Sequence, residues 1–304
     1  MKKVNVIQLL LFHTNLNIDI IKIIDYYYVP LLFRLQNNGA IRILDYSTKK
    51  WSEQKTLVPD LNWIKNSTVV DSNTVFIINN NTPFWYNVTT QLVTAIPEIM
   101  KWLRHDCSIT TIIYNNNIYF FVTNSVSHFY CHSTNDDRFY AFRYDCNSSI
   151  SYMIPRMNTE RRDAGIIAYD NEIFVFGGMQ GYGTMLSTCE CYNIITNSWK
   201  LLTTMPHAKC STHTVILHSS IIAILGGEYY NYNQIKYSYS DEVLLYNVDA
   251  NTWSVADWKL PFETESHFSS VYMLTEFQEL LITDHFNGTW IFDLFTKKWT
   301  RVPN

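Results

Sequence analysis

The chain has 304 residues, of which 47% are hydrophobic and 15% aromatic, and this composition favours a globular protein with a large core over a disordered polymer. The formal net charge is -4 and the basic residues are scattered, so the dense positive face that nucleic-acid backbones require is not expected. The longest apolar runs, such as 6–12, fall well short of the roughly 20 residues that cross a bilayer. We therefore expect neither nucleic-acid binding nor a membrane span.

The amino terminus faintly imitates a signal peptide, because two lysines precede an apolar stretch. Polar residues interrupt that stretch and no small-residue cleavage pattern follows, so secretion is not expected. The six cysteines include no CxxC pair, which predicts free thiols in a reducing compartment and a cytoplasmic location.

Residues 1–28 lack the pattern that fills the rest of the chain. Asn15 is a candidate helix cap, and apolar residues follow it at spacings of three and four as far as Asp25, which favours a helix. The many β-branched isoleucines weaken that prediction. As an alternative, residues 4–12 supply a strand that closes a ring of sheets.

From residue 29 onward, one motif recurs: a bulky apolar residue, then Asn or Asp, then a Trp seven positions after the apolar residue. Two weaker copies have Val93, and Ser151 or Tyr152, at the Trp position, so that six copies lie 42 to 58 residues apart. Such spacing indicates a supersecondary unit that is repeated and stacked. The Trp residues of the other copies are Trp51, Trp199, Trp253 and Trp299.

Upstream of this motif lies an apolar run of four or five residues, which predicts a strand buried on both faces. In two copies the run ends in paired glycines, which allow a positive φ and a close backbone approach at the end of an expected inner strand. Asn79 and Asn80 replace the glycines in one copy; Val122 and Thr123 replace them in another, so that unit must turn differently. The paired glycines are Gly177, Gly178, Gly226 and Gly227.

These motifs resemble the kelch repeat, whose pattern is a double glycine, a Tyr-Asn or Tyr-Asp step and a Trp. The copy from Met157 to Pro206, with Tyr192 as its tyrosine, matches nearly throughout, and the copy containing Tyr246 keeps most of the pattern. The resemblance covers 29–304 and implies an all-β, six-bladed propeller whose Tyr and Trp rings pack in the core. The implied blades are 29–51, 52–93, 94–152, 153–199, 200–253 and 254–304.

In the animal and poxvirus proteins that the chain most resembles, a BTB domain and a helical BACK domain precede the kelch region. Residues 1–28 are then a remnant of the helical domain, and no room is left for the BTB part. The bias toward Asn, Ile and Tyr suggests an AT-rich genome such as that of a poxvirus. A viral protein of this type would target a host factor or a ubiquitin-ligase adaptor.

Two sets of residues are candidates for a partner-binding rim. The resemblance implies that loops entering and leaving the blades face a protein partner, and that arginines there bind acidic or phosphorylated peptides bidentately. Tyrosine-rich loops add broad contact at little entropic cost. As alternatives, the cations are solvated loop charges and the rings pack on the blades. The candidates are Arg104, Arg161, Arg162, Lys209, Tyr182, Tyr229, Tyr230 and Tyr232.

Catalytic patterns are lacking. The nine histidines have no repeated spacing, and there is no nucleophile elbow, phosphate loop or cofactor fingerprint. The sequence therefore predicts a non-catalytic protein-binding module without metal or cofactor. Two alternatives stay open, namely a kelch-fold enzyme acting on a sugar and a degenerate gene product with little activity.

Overall fold

The computed structural model describes residues 33–35, 40–45, 48–52, 55–56, 64–70, 73–79, 82–87, 89–103, 107–124, 139–181, 183–231, 235–263, 268–274, 278–284 and 287–303. The predictions for residues 1–28 lie outside these ranges. Within them the chain is all-β apart from one short helix, α1 (Pro97–Met100). No helix in the described part is long and apolar enough to span a bilayer.

Five sheets in the described ranges are regular antiparallel meanders of four strands. In sheet 2 the strands are β5 (Ile64–Val69), β6 (Thr74–Asn79), β7 (Thr82–Asn87) and β8 (Val93–Ala95). In sheet 3 they are β9 (Cys107–Tyr114), β10 (Asn117–Asn124), β11 (Phe139–Asp145) and β12 (Ile150–Ile154). In sheet 4 they are β13 (Gly165–Tyr169), β14 (Glu172–Phe176), β17 (Cys189–Asn193) and β18 (Ser198–Leu202). In sheet 5 they are β19 (His213–His218), β20 (Ile221–Leu225), β23 (Val243–Asn247) and β24 (Thr252–Val255). In sheet 6 they are β25 (Phe268–Leu274), β26 (Glu279–Asp284), β27 (Gly288–Asp293) and β28 (Lys298–Val302).

Sheet 1 is less regular. It contains β1 (Phe33–Leu35), β2 (Ala40–Asp45), β3 (Lys50–Trp51) and β4 (Lys55–Thr56), and β2 pairs with each of the other three. The two short strands β3 and β4 pair with opposite ends of β2. In the described part of sheet 1, β3 and β4 are therefore two short strands where each of the other sheets has one continuous strand.

The sheets are arranged radially. The first strand of each regular sheet contacts the first strand of the next, from β5 through β9, β13 and β19 to β25. The first strands therefore line a common axis, and the fold is an all-β propeller. The strand that ends in paired glycines is consequently the second strand of its sheet, so its prediction as the inner strand is wrong.

Apolar cores fill the spaces between neighbouring sheets. In β14, Ile173 and Val175 belong to the core shared with sheet 3, whereas Phe174 and Phe176 belong to the core shared with sheet 5. Successive side chains of a strand point to opposite faces, so a strand covered on both sides needs a continuous apolar run. Each such side chain contributes about 1.5–3 kcal/mol when fully buried.

The last and first sheets of the chain also pack against each other. Leu281, Ile291 and Val302 of sheet 6 form a core with Leu44 of sheet 1, and Trp51 packs against that core. The packing of these two sheets brings the ends of the described ring together.

The Trp positions of all six copies occupy one structural register. Each pairs directly with the apolar residue seven positions before it, including Val93 opposite Tyr86 and Ser151 opposite Tyr144. The alignment of the two eroded copies is therefore confirmed. The remaining pairs are Leu44 with Trp51, Tyr192 with Trp199, Tyr246 with Trp253 and Phe292 with Trp299.

The Trp side chains of sheets 4 to 6 also form hydrogen bonds to the connection that precedes their sheet. The indole N–H of Trp199 donates to the Pro155 carbonyl at 2.8 Å, and that of Trp253 donates to the Thr203 carbonyl at 2.9 Å. The Trp199 ring contacts Phe121 of sheet 3, with centroids 5.8 Å apart. Trp199 therefore packs between sheets 3 and 4.

The paired glycines have the predicted backbone geometry. Gly177 and Gly178 have φ values of 59° and 96°, and a Cβ on Gly178 would lie 2.7 Å from the Arg162 carbonyl oxygen. In sheet 3, by contrast, Val122 and Thr123 stay within β10, which continues to Asn124. Val122 and Thr123 therefore lack the positive φ of the glycines that they replace.

Candidate functional site

Two hairpins extend from the glycine pairs of sheets 4 and 5. Strands β15 (Met179–Gln180) and β16 (Thr184–Met185) form the first, and β21 (Glu228–Asn231) and β22 (Lys236–Tyr239) form the second. An isolated bridge at the base of each hairpin anchors it to the loop that enters its sheet, through Arg162 and Met179 in one case and Cys210 and Glu228 in the other. All four glycines have positive φ values, so the chain can turn sharply between the second strand of each sheet and its hairpin.

A cleft of about 840 Å³ lies between these hairpins and the loop that leads into sheet 5. Volumes of this size are typical of ligand pockets. We call it the hairpin cleft. It is lined by Gly183, Thr184, Met185, Pro206, His207, Ala208, Lys209, Tyr229, Tyr230, Tyr237, Tyr239, Ser240, Asp241, Glu242, Lys259 and Glu263.

Tyrosine rings form one wall of the hairpin cleft. Tyr230 lies directly opposite Tyr237 across the second hairpin, and their rings meet edge to face with centroids 5.4 Å apart. Tyr239 is two positions further along β22 and shares their face. The Tyr237 hydroxyl donates to the Gly183 carbonyl at 3.5 Å, so the second hairpin contacts the first.

Of the four tyrosines that the sequence proposed for the rim, the structure describes two. Tyr229 and Tyr230 line the hairpin cleft, whereas Tyr182 and Tyr232 lie outside the described residues. Tyr237 and Tyr239 complete the wall and were not singled out in the sequence. Their alternation with serine in β22 was the available signal, because it places both rings on one face of a strand.

Arg161 does not present its charge on the rim. The residue is only 2% exposed, and its guanidinium donates to the carbonyls of Gly177 and Thr188 at 2.8 and 2.6 Å. It also forms an ion pair with Glu190, with 2.6 Å between Nη2 and Oε1. The prediction of an exposed rim cation here is wrong, because buried charges require paired partners and this arginine has them within its own sheet.

Glu190 joins the loop before sheet 4 to the sheet itself. Besides Arg161, it accepts hydrogen bonds from the backbone N–H groups of Asn158 and Thr159, at 2.7 and 2.8 Å. The side-chain amide of Asn158 adds a further bond at 2.9 Å. The carboxylate is therefore fully satisfied, and the pair fixes the loop from which the first hairpin is anchored.

Lys209 occupies the equivalent position before sheet 5 and is also 2% exposed. Its Nζ donates to Glu242 at 2.8 Å and to Ser240 at 3.1 Å. Burial lowers the pKa of Lys209, and the Glu242 carboxylate offsets part of that effect. Its prediction as an exposed rim cation is wrong for the same reason as that of Arg161, although Lys209 does border the hairpin cleft.

The other two predicted cations have different positions. The Arg162 guanidinium lies 3.4 Å from the Asp163 carboxylate and 2.9 Å from the Met179 sulfur, so it is partnered at the hairpin base. Arg104 lies outside the described residues.

The sequence suggested Arg104 because it follows Met100 by four residues, as Arg161 follows Met157 and Lys209 follows Met205. In the structure, Met100 is not equivalent to the other two methionines. Met100 is 44% exposed, whereas its neighbour Ile99 is fully buried. Ile99 lies six positions after Val93, the same interval that separates buried Met205 from Trp199. Counting four positions from Ile99 reaches Leu103 rather than a basic residue.

Acidic side chains supply more of the charge in the hairpin cleft than sequence reasoning expected. Ser240 separates Asp241 and Glu242 from the end of β22, and Glu263 comes from the loop before sheet 6. Lys259 approaches both oxygens of Asp241, at 3.0 and 3.1 Å. The signal in the sequence was the acidic pair immediately after the tyrosine-rich loop.

The described residues contain no group of three or more His, Cys, Asp or Glu side chains that could hold a metal ion. The described cysteines are all free thiols. Burial raises the pKa of Cys189 to about 11 and that of Cys210 to about 12. These thiols are therefore protonated at neutral pH and poorly nucleophilic.

Comparison with known proteins agrees with this architecture. A family model described as the Kelch motif matches residues 160–206. The solved structure of YjhT superimposes with a TM-score of 0.62 over 91% of this chain and 98% of that chain, at 14% identity. At that identity the likeness concerns the fold alone. The radial sheets define a β-propeller, and residues 160–206 of it are similar to the Kelch motif.

Curated relatives match part of the chain. Human Kelch-like protein 15 is 32% identical over 106 residues, which is 32% of this chain and 16% of that protein. Xenopus laevis Kelch-like protein 25 is 30% identical over 73 residues, covering 24% and 12%. An F-box/kelch-repeat protein of Arabidopsis thaliana is 27% identical over 114 residues, covering 38% and 28%. The matched stretch is thus less than a third of each relative's length.

Proposed function

We propose that the protein is a non-catalytic interaction module that binds a protein or peptide partner in the hairpin cleft. One observation carries the proposal: two anchored hairpins from neighbouring sheets enclose a cleft of about 840 Å³ with a tyrosine wall. Tyrosine gives a large contact area with few rotatable bonds, and it is enriched in protein interfaces. The likeness to kelch-like proteins supports the same class of function.

The proposal includes six blades. Sheet 1 supports this count because it shares a core with sheet 6 and keeps the pairing of Leu44 with Trp51. The proposed blade limits are those of the repeat, beginning at residue 29. A cytoplasmic location and a viral origin stay predictions from the sequence.

The prediction of an acidic peptide as the partner requires exposed cations at the rim. Arg161 and Lys209 are buried in ion pairs within their own sheets, and Arg162 is partnered by Asp163. A protein partner is therefore retained in the proposal without an acidic motif.

Selection from a phage-displayed library of random peptides tests the proposal. Clones that bind the wild-type protein are compared on Tyr230→Ala and Tyr237→Ala, with Phe295→Ala as the control because Phe295 is exposed in the turn of sheet 6. We expect clones whose binding falls on both cleft variants and is unchanged on the control. Equal binding to all variants, with unchanged thermal unfolding, would contradict the proposal.

A further inference from the structure

We propose that the hairpin cleft accepts a peptide segment that presents a lysine or arginine side chain. This inference rests on the proposed function and specifies the chemistry of the partner. The sequence predicted an acidic peptide as the partner, whereas this inference requires a basic one.

The ionisable groups of the hairpin cleft favour a cationic ligand. Three carboxylates line it, from Asp241, Glu242 and Glu263, against the ammonium groups of Lys209 and Lys259. The imidazole of His207 also lines the cleft, with its Nε2 3.9 Å from Glu242. The lining therefore has one more carboxylate than ammonium group. Opposite charge in a recess attracts a ligand and selects against one of like charge.

Both lysines of the cleft already form ion pairs within the protein. The Lys209 Nζ is held by Glu242 and Ser240 within the protein, and its side chain is only 3% exposed. Lys259 interacts with both oxygens of Asp241. An anionic peptide would have to displace one of these carboxylates or remain unpaired, which carries the cost of a desolvated charge.

Glu263, in contrast, is available. It is exposed at the border of the cleft and forms no ion pair with any residue in the described ranges. A lysine or arginine from a partner would give this carboxylate a partner without breaking an existing interaction.

The tyrosine wall suits the same ligand. Tyr230, Tyr237 and Tyr239 share one face of the second hairpin, and the faces of aromatic rings attract ammonium and guanidinium groups. The stem of a long basic side chain can lie along the rings while its charge reaches the carboxylates. Aromatic surface and carboxylates in one cleft therefore recognise both parts of the side chain.

Clones from the random peptide library supply the probes, as fluorescein-labelled synthetic peptides measured by fluorescence anisotropy. We expect the clones that require Tyr230 and Tyr237 to contain a lysine or arginine at a fixed position. Replacing that residue by norleucine should weaken binding by about 2- to 30-fold, the range of a cation–π contact. Raising the salt concentration should also weaken binding.

Charge variants locate the interaction. Glu263→Gln should reduce affinity by up to about fivefold, as expected for one exposed ion pair. Glu263→Lys should reduce it further, and exchanging the basic residue of the peptide for glutamate should restore binding to that variant. Asp249→Lys is the matched control, because Asp249 is an exposed carboxylate in the turn between β23 and β24.

The possible outcomes separate this inference from the proposed function. Clones that depend on the cleft and carry acidic or only neutral residues would overturn the inference and leave the proposed function in place. The same holds if Glu263→Lys and Asp249→Lys have equal effects. If no clone depends on the cleft, the proposed function fails and the inference with it.

Discussion

Arg161 and Glu190 form an ion pair whose side chains are both fully buried, with 2.6 Å between Nη2 and Oε1. The pair joins the loop before sheet 4 to the third strand of that sheet. A cation that the repeat spacing places at the rim is therefore part of the framework that holds the hairpin.

Replacing Arg161 by Met should lower the free energy of unfolding by about 3–5 kcal/mol, because Glu190 would keep a buried charge without its cationic partner. Urea denaturation followed by tryptophan fluorescence measures the change. The matched control is Lys200→Met in the same sheet, because Lys200 pairs with Glu172 on the surface. That variant should lose less than about 1 kcal/mol. Similar losses in the two variants would contradict the framework role of Arg161.

Gly178→Ala should destabilise the protein more than Gly181→Ala does. Both glycines have positive φ, at 96° and 53°, but a Cβ on Gly178 would meet the Arg162 carbonyl, whereas a Cβ on Gly181 meets no atom within 4 Å. We expect a cost of about 1–2 kcal/mol for Gly181→Ala from its left-handed backbone and clearly more for Gly178→Ala. Thermal unfolding compares the two, and equal midpoints would contradict the close approach at Gly178.

Leu44→Ala tests whether sheet 1 completes the ring. Leu44 is 4% exposed in the core that sheets 1 and 6 share, so the substitution should cost about 2–5 kcal/mol. Leu92→Ala is the control, since Leu92 is 63% exposed, and it should change stability by less than about 0.5 kcal/mol. A negligible effect of Leu44→Ala in urea denaturation would show that sheet 1 does not pack on sheet 6.

Ionisation of Tyr192 should accompany alkaline unfolding. Burial raises the pKa of Tyr192 from 10.0 to about 12, and its hydroxyl donates to Asn197 at 2.6 Å. Because the folded-state pKa is the higher one, this contribution to stability is fully present below pH 10 and is lost as the pH rises through 12. Tyrosinate absorbance and circular dichroism should therefore change together in that window, and Tyr192→Phe should reduce the pH dependence of stability there. Unchanged pH dependence in Tyr192→Phe would contradict the prediction.

The propeller and the register of its outer strands could be predicted from the sequence because they depend on local pairing. A residue of the third strand and the Trp seven positions later face each other across one turn, so Ser151 aligns with Tyr144 even where the motif is eroded. The order of the strands relative to the axis depends on contacts between sheets. The repeat motif does not encode these contacts. The strand that ends in paired glycines was therefore predicted to be the innermost strand of its sheet, although it is the second.

The charged groups were harder to predict, because burial depends on partners distant in sequence. Glu190 lies two residues before Tyr192, whereas Glu242 lies four residues before Tyr246. The carboxylates that pair with Arg161 and Lys209 therefore do not occupy equivalent positions in the two copies of the repeat. The hairpin cleft likewise combines the loops of sheets 4 and 5, and no single copy of the repeat contains it.

Amide hydrogen exchange with a cleft-dependent peptide bound tests whether the hairpin cleft is the binding site. We expect slower exchange in 183–185, 229–231 and 236–242, which border the cleft, and unchanged exchange in the outer strands β12 and β24. Protection of the outer strands with unchanged exchange in both hairpins would place the interface elsewhere and contradict binding in the hairpin cleft.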